Sequence, residues 1–134
     1  MNTKKEESVK KGFTLLELII VIIIIGVLAT LGFSQYTKMI EKGRAAESRA
    51  ILGTLRTEQT AYYLENGIYT AVITELGGGE PTACAVTHYF FYTCANTGTC
   101  TATRCSAGGK NPQFATAYTK TLTVAGVFGG DAGY

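Results

Sequence analysis

A single carboxylate stands inside the longest apolar stretch of this 134-residue chain. Residues 13–37 read FTLLELIIVIIIIGVLATLGFSQYT, and Glu17 is their only formal charge. As a helix rising about 1.5 Å per residue, this stretch is long enough to cross a hydrocarbon layer of roughly 30 Å. An unpaired carboxylate in that layer costs about 2.5 kcal/mol or more. The chemistry that Glu17 implies is therefore ion pairing with a cation.

The hydrophilic segment before the apolar run can yield that cation if it is removed. It reads MNTKKEESVKKG and ends in the small residue Gly12. By the positive-inside rule, this Lys-rich end stays in the cytoplasm and the rest of the chain crosses the membrane. Cleavage between Gly12 and Phe13 would expose an α-ammonium four residues before Glu17, which is one turn away on the same helix face. The amine of the same molecule or of a neighbour would then neutralise the buried acid.

This arrangement resembles the N-terminus of type IV pilins and type II secretion pseudopilins. The matching features are the Lys-rich leader ending in Gly12, the run from Phe13 to Glu17, and the unbroken Ile/Val/Leu segment. The resemblance is specific over residues 8–37 and looser to about residue 76. It implies cleavage by a prepilin peptidase after Gly12, N-methylation of Phe13, and a role for Glu17 in subunit docking and register. A Lys-rich start with a long apolar helix alone is more typical of an ordinary membrane anchor.

The chain departs from the resembled family in the apolar helix. Many members carry a proline there, whereas no proline precedes Pro81 in this sequence. Gly26 and Gly32 lie in the stretch and, at roughly 1 kcal/mol of helix cost each, are the residues that could supply local melting or curvature.

The resemblance and the pattern along the chain together predict an α+β, pilin-like fold. Residues 1–12 form the removed leader, 13–37 the transmembrane and filament-core helix, 38–66 its amphipathic continuation, and 67–134 a loop and small antiparallel sheet. The helix is expected to end near Asn66-Gly67. Its second half should bury a stripe of apolar or small residues against the sheet: Ala46, Ala50, Leu52, Leu55, Ala61 and Tyr62. Three strands are predicted at about 88–94, 100–105 and 118–128, with turns at 96–98, 108–109 and 111–112 and a loose end at GGDAGY.

Four cysteines, Cys84, Cys94, Cys100 and Cys105, all follow the apolar segment. They contain no C-x2-C pair, so a zinc site is poorly supported, and two disulfides are expected in an oxidising compartment. Three connectivities are open. Proximity along the chain favours Cys84–Cys94 with Cys100–Cys105, and an alternative joins Cys84 to Cys105. Each bridge would add about 2 to 4 kcal/mol to a small head.

The charge composition bears on which classes of function the chain could have. Removal of the leader takes four bases and two acids from the 12 Lys/Arg and 10 Asp/Glu, which leaves eight of each. This balance argues against a dedicated nucleic-acid surface and suits a subunit that packs against its own copies. We expect no catalytic residues, no cofactor and no metal. The aromatic group around His88 is expected to pack in the fold rather than to bind a ligand.

The sequence therefore predicts a structural subunit of a type IV pilus, a fibre for adhesion, motility or DNA uptake. The expected partners are the chain itself as a helical homopolymer, a prepilin peptidase and the inner-membrane assembly machinery. The precursor would lie in the cytoplasmic membrane in a single pass, and the assembled fibre at the cell surface. The alternative is a pseudopilin of a type II protein secretion system. A monomeric, membrane-anchored binding domain is a third class, which the Gly12–Phe13 and Glu17 pattern disfavours.

Overall fold

The computed structural model describes residues 12–110 and 117–131. The leader residues 1–11, the predicted turn at 111–112 and the last three residues lie outside this description. The chain divides into two compact units, Met1–Thr37 and Lys38–Tyr134. We refer to the second unit as the head.

One long helix, α1, spans Leu15–Asn66. The sequence has no proline in this range, and the helix passes through Gly26 and Gly32 without interruption. It ends where predicted, because Gly67 has a φ of 73° and so takes up the left-handed conformation that stops a helix. The Gly67 backbone N–H donates to the Tyr63 carbonyl at 2.8 Å, and the Asn66 side-chain Nδ2 donates to the Tyr62 carbonyl at 3.1 Å. The last turn of the helix is therefore capped.

The head continues with a short 3₁₀ helix, Ile73–Leu76, and a four-stranded antiparallel sheet. The strands β1 (Phe90–Cys94), β2 (Cys100–Arg104), β3 (Thr119–Leu122) and β4 (Phe128–Gly130) follow each other in space as in sequence. The predicted α+β class with an antiparallel meander is therefore confirmed, with one more strand than expected.

The extra strand arises inside the run that was predicted as one strand at 118–128. This prediction was wrong, because the backbone reverses at Gly126, whose φ of 86° favours glycine. The Gly126 N–H donates to the Thr123 carbonyl at 2.9 Å, and β4 then pairs with β3. The described part of GGDAGY is not a loose end either. Gly129 and Gly130 belong to β4, and Asp131 Oδ2 accepts hydrogen bonds from the Thr119 N–H at 2.7 Å and hydroxyl at 3.1 Å.

The face of α1 buried in the head differs from the predicted stripe. Leu52 and Leu55 are buried as expected, but Ala46, Ala50 and Ala61 are exposed. The buried positions recur at alternating intervals of four and three residues: Glu41, Ala45, Ser48, Leu52, Leu55 and Gln59. Three of these six side chains are polar, which is why hydrophobicity alone placed the stripe wrongly. The apolar members of this face pack with Tyr118, which precedes β3, and with residues of the inner face of the sheet: Phe90, Tyr92, Cys100, Ala102 and Leu122.

Candidate functional site

The start of α1 is the first candidate site, and Thr14 sets its geometry. The Thr14 hydroxyl accepts a hydrogen bond from the Glu17 N–H at 3.2 Å, and the Thr14 carbonyl accepts one from Leu18. Thr14 is thus the N-cap, and Glu17 is the acid three residues later that typifies a capping box. A carboxylate in the first turn is also favoured by the helix dipole. Phe13 precedes the cap, so it does not share a helical face with Glu17 as a residue inside the helix would.

Gly12 and Phe13 are both exposed. A Cβ built on Gly12 meets no atom within 4 Å. The small size of Gly12 is therefore not required by the packing of the described chain.

The helix segment after Glu17 is apolar around its whole circumference and exposed throughout. Exposed fractions of the large apolar side chains between Leu18 and Leu31 range from 41% for Ile19 to 66% for Leu31. Burying each such Leu, Ile or Val side chain is worth about 1.5 kcal/mol or more, so the segment as a whole forgoes roughly 20 kcal/mol in water. Because a whole domain is stable by only about 5–15 kcal/mol, this surface requires a lipid or protein environment.

The few hydroxyl groups in this segment are satisfied within the helix. Thr30 donates to the Val27 carbonyl at 2.7 Å, and Thr37 donates to the Ser34 carbonyl at 3.0 Å. Such internal bonds allow polar residues to enter an apolar phase without an unpaired donor. Within the described residues, α1 is the one helix long and apolar enough to cross a membrane by length and composition.

A buried ion pair in the head is a site that the sequence did not indicate. Arg104 on β2 is 1% exposed, and its Nε donates to Glu41 Oε1 at 2.6 Å. Tyr118 adds a hydrogen bond to the same oxygen at 3.0 Å, and Arg44 donates to Oε2 at 2.9 Å. The Arg104 Nη1 also donates to the carbonyls of Tyr89 and Cys105, each at 3.0 Å. Both charges are therefore hydrogen-bonded, as a buried pair requires.

The electrostatics of this pair favour the ionised form of Glu41. Burial alone would raise the pKa of its carboxyl, but the hydrogen bond and charge of Arg104 act in the opposite direction. Hydrogen bonds from Tyr118 and Arg44 add to that effect, and the pKa lies below its usual value. The only signal in the sequence was an acid, Glu41, at the start of the amphipathic segment and an arginine inside a β-prone run.

A second polar contact fixes the loop after α1. Gln59 is fully buried, donates to the Thr70 carbonyl at 2.6 Å and accepts from the Thr70 N–H at 3.2 Å. The Thr70 hydroxyl then donates to Glu75 at 2.7 Å, and Tyr62 donates to the same carboxylate oxygen at 3.2 Å. The side-chain amide of Gln59 therefore satisfies both backbone polar groups of the buried Thr70. These contacts are structural and form no chemical centre.

The four cysteines form the bridges Cys84–Cys105 and Cys94–Cys100. The pairing favoured by proximity, Cys84–Cys94 with Cys100–Cys105, was wrong, and the Cys84–Cys105 alternative is correct. Cys94 and Cys100 face each other at the end of the β1–β2 ladder, with Cα atoms 4.1 Å apart. The hairpin register therefore decides the pairing, and chain proximity does not.

The aromatic run around His88 packs as predicted. Phe90 and Tyr92 point into the core, and Tyr89 and Phe91 between or beside them are half-buried. The His88 ring lies within hydrogen-bond distance of the Thr87 hydroxyl at 2.8 Å and the Ala83 carbonyl at 3.1 Å. Among the described residues, no three His, Cys, Asp or Glu side chains come together as a possible metal site.

Comparison with known families and proteins agrees with this geometry. The family described as the prokaryotic N-terminal methylation motif matches residues 8–33, which include Gly12, Phe13 and Glu17. The N-terminal part of the chain therefore belongs to the class of prepilin-type N-termini.

The curated relatives define the class more closely. The chain is 31% identical over 104 residues to the type IV major pilin protein PilE1 of Neisseria gonorrhoeae, covering 78% of this chain and 63% of that protein. It is 34% identical over 67 residues to the type IV major pilin protein PilA of Myxococcus xanthus, covering 50% and 30%. It is 41% identical over 51 residues to the type IV major fimbrial protein FimA of Dichelobacter nodosus, covering 38% and 33%. The chain thus spans one to two thirds of the length of these relatives, and its homologues are type IV major pilins.

Proposed function

We propose that this chain is a structural subunit of a type IV pilus filament. The observation that carries the proposal is the methylation motif at residues 8–33, followed by a helix whose apolar circumference is exposed along Leu15 to Leu31. A surface of this kind is covered by lipid before assembly and by the helices of other subunits afterwards. The similarity to major pilins and fimbrial proteins favours the pilus over the secretion pseudopilus.

In the proposed pathway, the precursor lies in the cytoplasmic membrane with its Lys-rich end inside and its head outside. A prepilin peptidase cleaves after Gly12, and Phe13 becomes the N-methylated first residue. The head then folds in an oxidising compartment, where both disulfides form. The remaining partners are further copies of the chain and the assembly machinery of the inner membrane. The fibre would serve adhesion, motility or DNA uptake.

Glu17 supplies the register of assembly in this proposal. Its carboxylate enters the apolar bundle and pairs with the free amine of Phe13 on a subunit already in place. The attraction between unit charges is several times stronger at the effective dielectric of a protein than in water. An unpaired charge of either sign in the bundle is penalised, so the pairing favours one axial position.

The central experiment combines microscopy with mass spectrometry. Surface material sheared from producing cells should contain filaments, and the subunit in them should begin at a methylated Phe13. A subunit that retains Met1 in those filaments would contradict the proposal. Gly12→Val should leave the precursor uncut. Since a side chain at Gly12 has free space in the chain, this loss would report on the peptidase rather than on folding.

Glu17→Val tests the register mechanism separately. The variant should insert into the membrane at the wild-type level but enter filaments poorly. The matched control is Thr30→Val, which also replaces a polar residue of the same segment by valine without removing a charge. The Thr30 hydroxyl donates to the Val27 carbonyl of the same helix, so normal assembly is expected. Normal filament yield from Glu17→Val would refute the register role.

A further inference from the structure

The part of α1 in the head carries a row of basic residues along one flank. Lys38, Arg49 and Arg56 are exposed, and their separations of eleven and seven residues place them in one direction around a helix. This row of residues lies on the side of the helix next to the β3–β4 turn, because the Arg56 Nε donates to the Val124 carbonyl in that turn at 2.8 Å. We call these three residues the basic flank.

A row of acidic residues runs along the other side of the same helix. It consists of Glu47, Glu58 and Glu65, of which Glu58 is half-buried and the others are exposed. Glu58 lies beside the carboxylate of Glu80, which comes from the loop before β1. We call Glu47, Glu58 and Glu65 the acidic flank, and it lies toward the β1 edge.

The two flanks have the same spacing. Each basic residue is followed by an acidic residue nine positions later: Lys38 and Glu47, Arg49 and Glu58, Arg56 and Glu65. Nine residues correspond to about two and a half helical turns, so the partner positions point in opposite directions and lie about 13.5 Å apart along the axis. Two parallel copies, displaced by that distance and side by side, would therefore bring all three pairs face to face.

We infer that the acidic flank of one copy docks on the basic flank of an adjacent parallel copy, nine residues displaced along the helix axis. This contact rests on the filament proposed above, in which the helices are parallel. It is heterologous, since different surfaces of the two copies meet, so it repeats from subunit to subunit without closing.

Three features favour a second copy as the occupant. The complementary surface is present on the same chain at identical spacing, so no other partner needs to be invoked. The exposed helix face between the flanks includes the small residues Gly43, Ala46 and Ala50, at which neighbouring helices can approach. Glu58 Oε2 on the acidic flank and Glu80 Oε2 beside it are occluded and have no hydrogen-bond partner among the described residues. Burial, and then the charge of Glu80, raise the pKa of Glu58, and a positive charge on a neighbouring copy would offset the repulsion between the two carboxylates without contacting the occluded oxygens.

A charge-swap series in the full-length chain tests the register. Lys38→Glu and Glu47→Lys each place like charges opposite each other in the contact, and each should lower the yield of sheared filaments by about tenfold. The cognate double variant K38E/E47K restores opposite charges at the same position and should recover the wild-type yield. The non-cognate double variant K38E/E65K changes two exposed residues and has the same net charge but two repulsive pairs, so its yield should stay low. Subunit levels in the membrane fraction should be equal in all variants.

Zero-length carbodiimide crosslinking of wild-type filaments provides a second measurement. Lys38 and Glu47 of one chain lie on opposite sides of the helix and cannot be joined, so a Lys38–Glu47 crosslink must connect two copies. Mass spectrometry should find it in filaments and not in detergent-dispersed subunits. Lys38→Arg keeps the charge and removes the amine, so filaments should form normally without this crosslink.

The outcomes separate this contact from the proposed function. Absence of filaments from wild-type cells would overturn both. If wild-type cells make filaments, three results would each overturn the contact and leave the proposed function unaffected. These are equal filament yields from the two double variants, wild-type yields from the single variants, or absence of the Lys38–Glu47 crosslink.

Discussion

Removal of one charge from the buried pair in the head should cost a large part of its stability. Glu41 accepts hydrogen bonds from Arg104, Tyr118 and Arg44, so Glu41→Leu removes the carboxylate that neutralises the buried Arg104 guanidinium. Breaking a buried pair in this way costs about 3–5 kcal/mol. In a domain of this size, a loss of 3 kcal/mol lowers the midpoint of thermal unfolding by roughly 12 °C or more.

The assay must follow the head alone, because the apolar half of α1 stays helical in detergent. Near-ultraviolet circular dichroism of the mature protein meets this need, since it reports on packed tyrosines and Tyr92 and Tyr118 are buried in the head core. The matched control is Glu47→Leu, an exposed acid on the same helix, which should change the stability by less than about 0.5 kcal/mol.

A double-mutant cycle separates the value of the pair from the cost of breaking it. Glu41→Leu combined with Arg104→Met removes both charges and fills the space with apolar groups, which is often neutral or stabilising. The double variant should therefore be more stable than Glu41→Leu alone. A loss below about 1 kcal/mol for Glu41→Leu, or a double variant as unstable as the sum of the singles, would refute the reasoning.

Three further predictions concern the head. Folding lowers the pKa of Glu41, so the stability that its carboxylate contributes is complete above the ordinary glutamate pKa of about 4.3. This contribution is lost as the pH falls through the lowered pKa. Acid titration of the unfolding midpoint should show the loss, and Glu41→Leu should abolish it. The pKa of Glu58 is shifted in the opposite direction, so its carboxylate destabilises the head as the pH rises, and Glu58→Gln should raise the midpoint at pH 7 where the exposed control Glu65→Gln does not. A disulfide that closes a longer loop stabilises the fold more, so removing Cys84–Cys105 (separation 21) should lower the free energy of unfolding by about 3 kcal/mol. This is about 1 kcal/mol more than the loss expected on removing Cys94–Cys100 (separation 6). Equal denaturant midpoints of the two variants would contradict this order.

Features with a local cause could be predicted from the sequence. The end of α1 follows from Asn66-Gly67, because glycine enters the left-handed conformation at little cost. The sequence pattern around Gly12, Phe13 and Glu17 could be recognised from a single charge in an apolar run. Its recognition does not depend on the structure of the head. The antiparallel meander follows from short β-prone runs separated by turns, although the split at Gly126 was missed.

Features that depend on contacts distant in the sequence could not be predicted in this way. Arg104 lies 63 residues from Glu41, and no periodicity marks the two as partners. The buried face of α1 contains Ser48 and Gln59, whose burial is stabilised by hydrogen bonds that a hydrophobic pattern does not register. The Cys94–Cys100 disulfide follows the β1–β2 register, which brings these two residues opposite each other.

The buried pair and the charged flanks are connected by the geometry of the helix. Each residue of α1 turns the next side chain by about 100°, so a slip of one residue against the sheet would turn both flanks away from their neighbours. Hydrophobic contacts of Leu52 and Leu55 are non-directional and tolerate such shifts better than a hydrogen bond does. The bonds from Arg104 and Tyr118 to Glu41 fix the rotation of α1 in the head. The same bonds therefore determine the directions in which Lys38 and Glu47 point, and with them the surface that one subunit presents to the next.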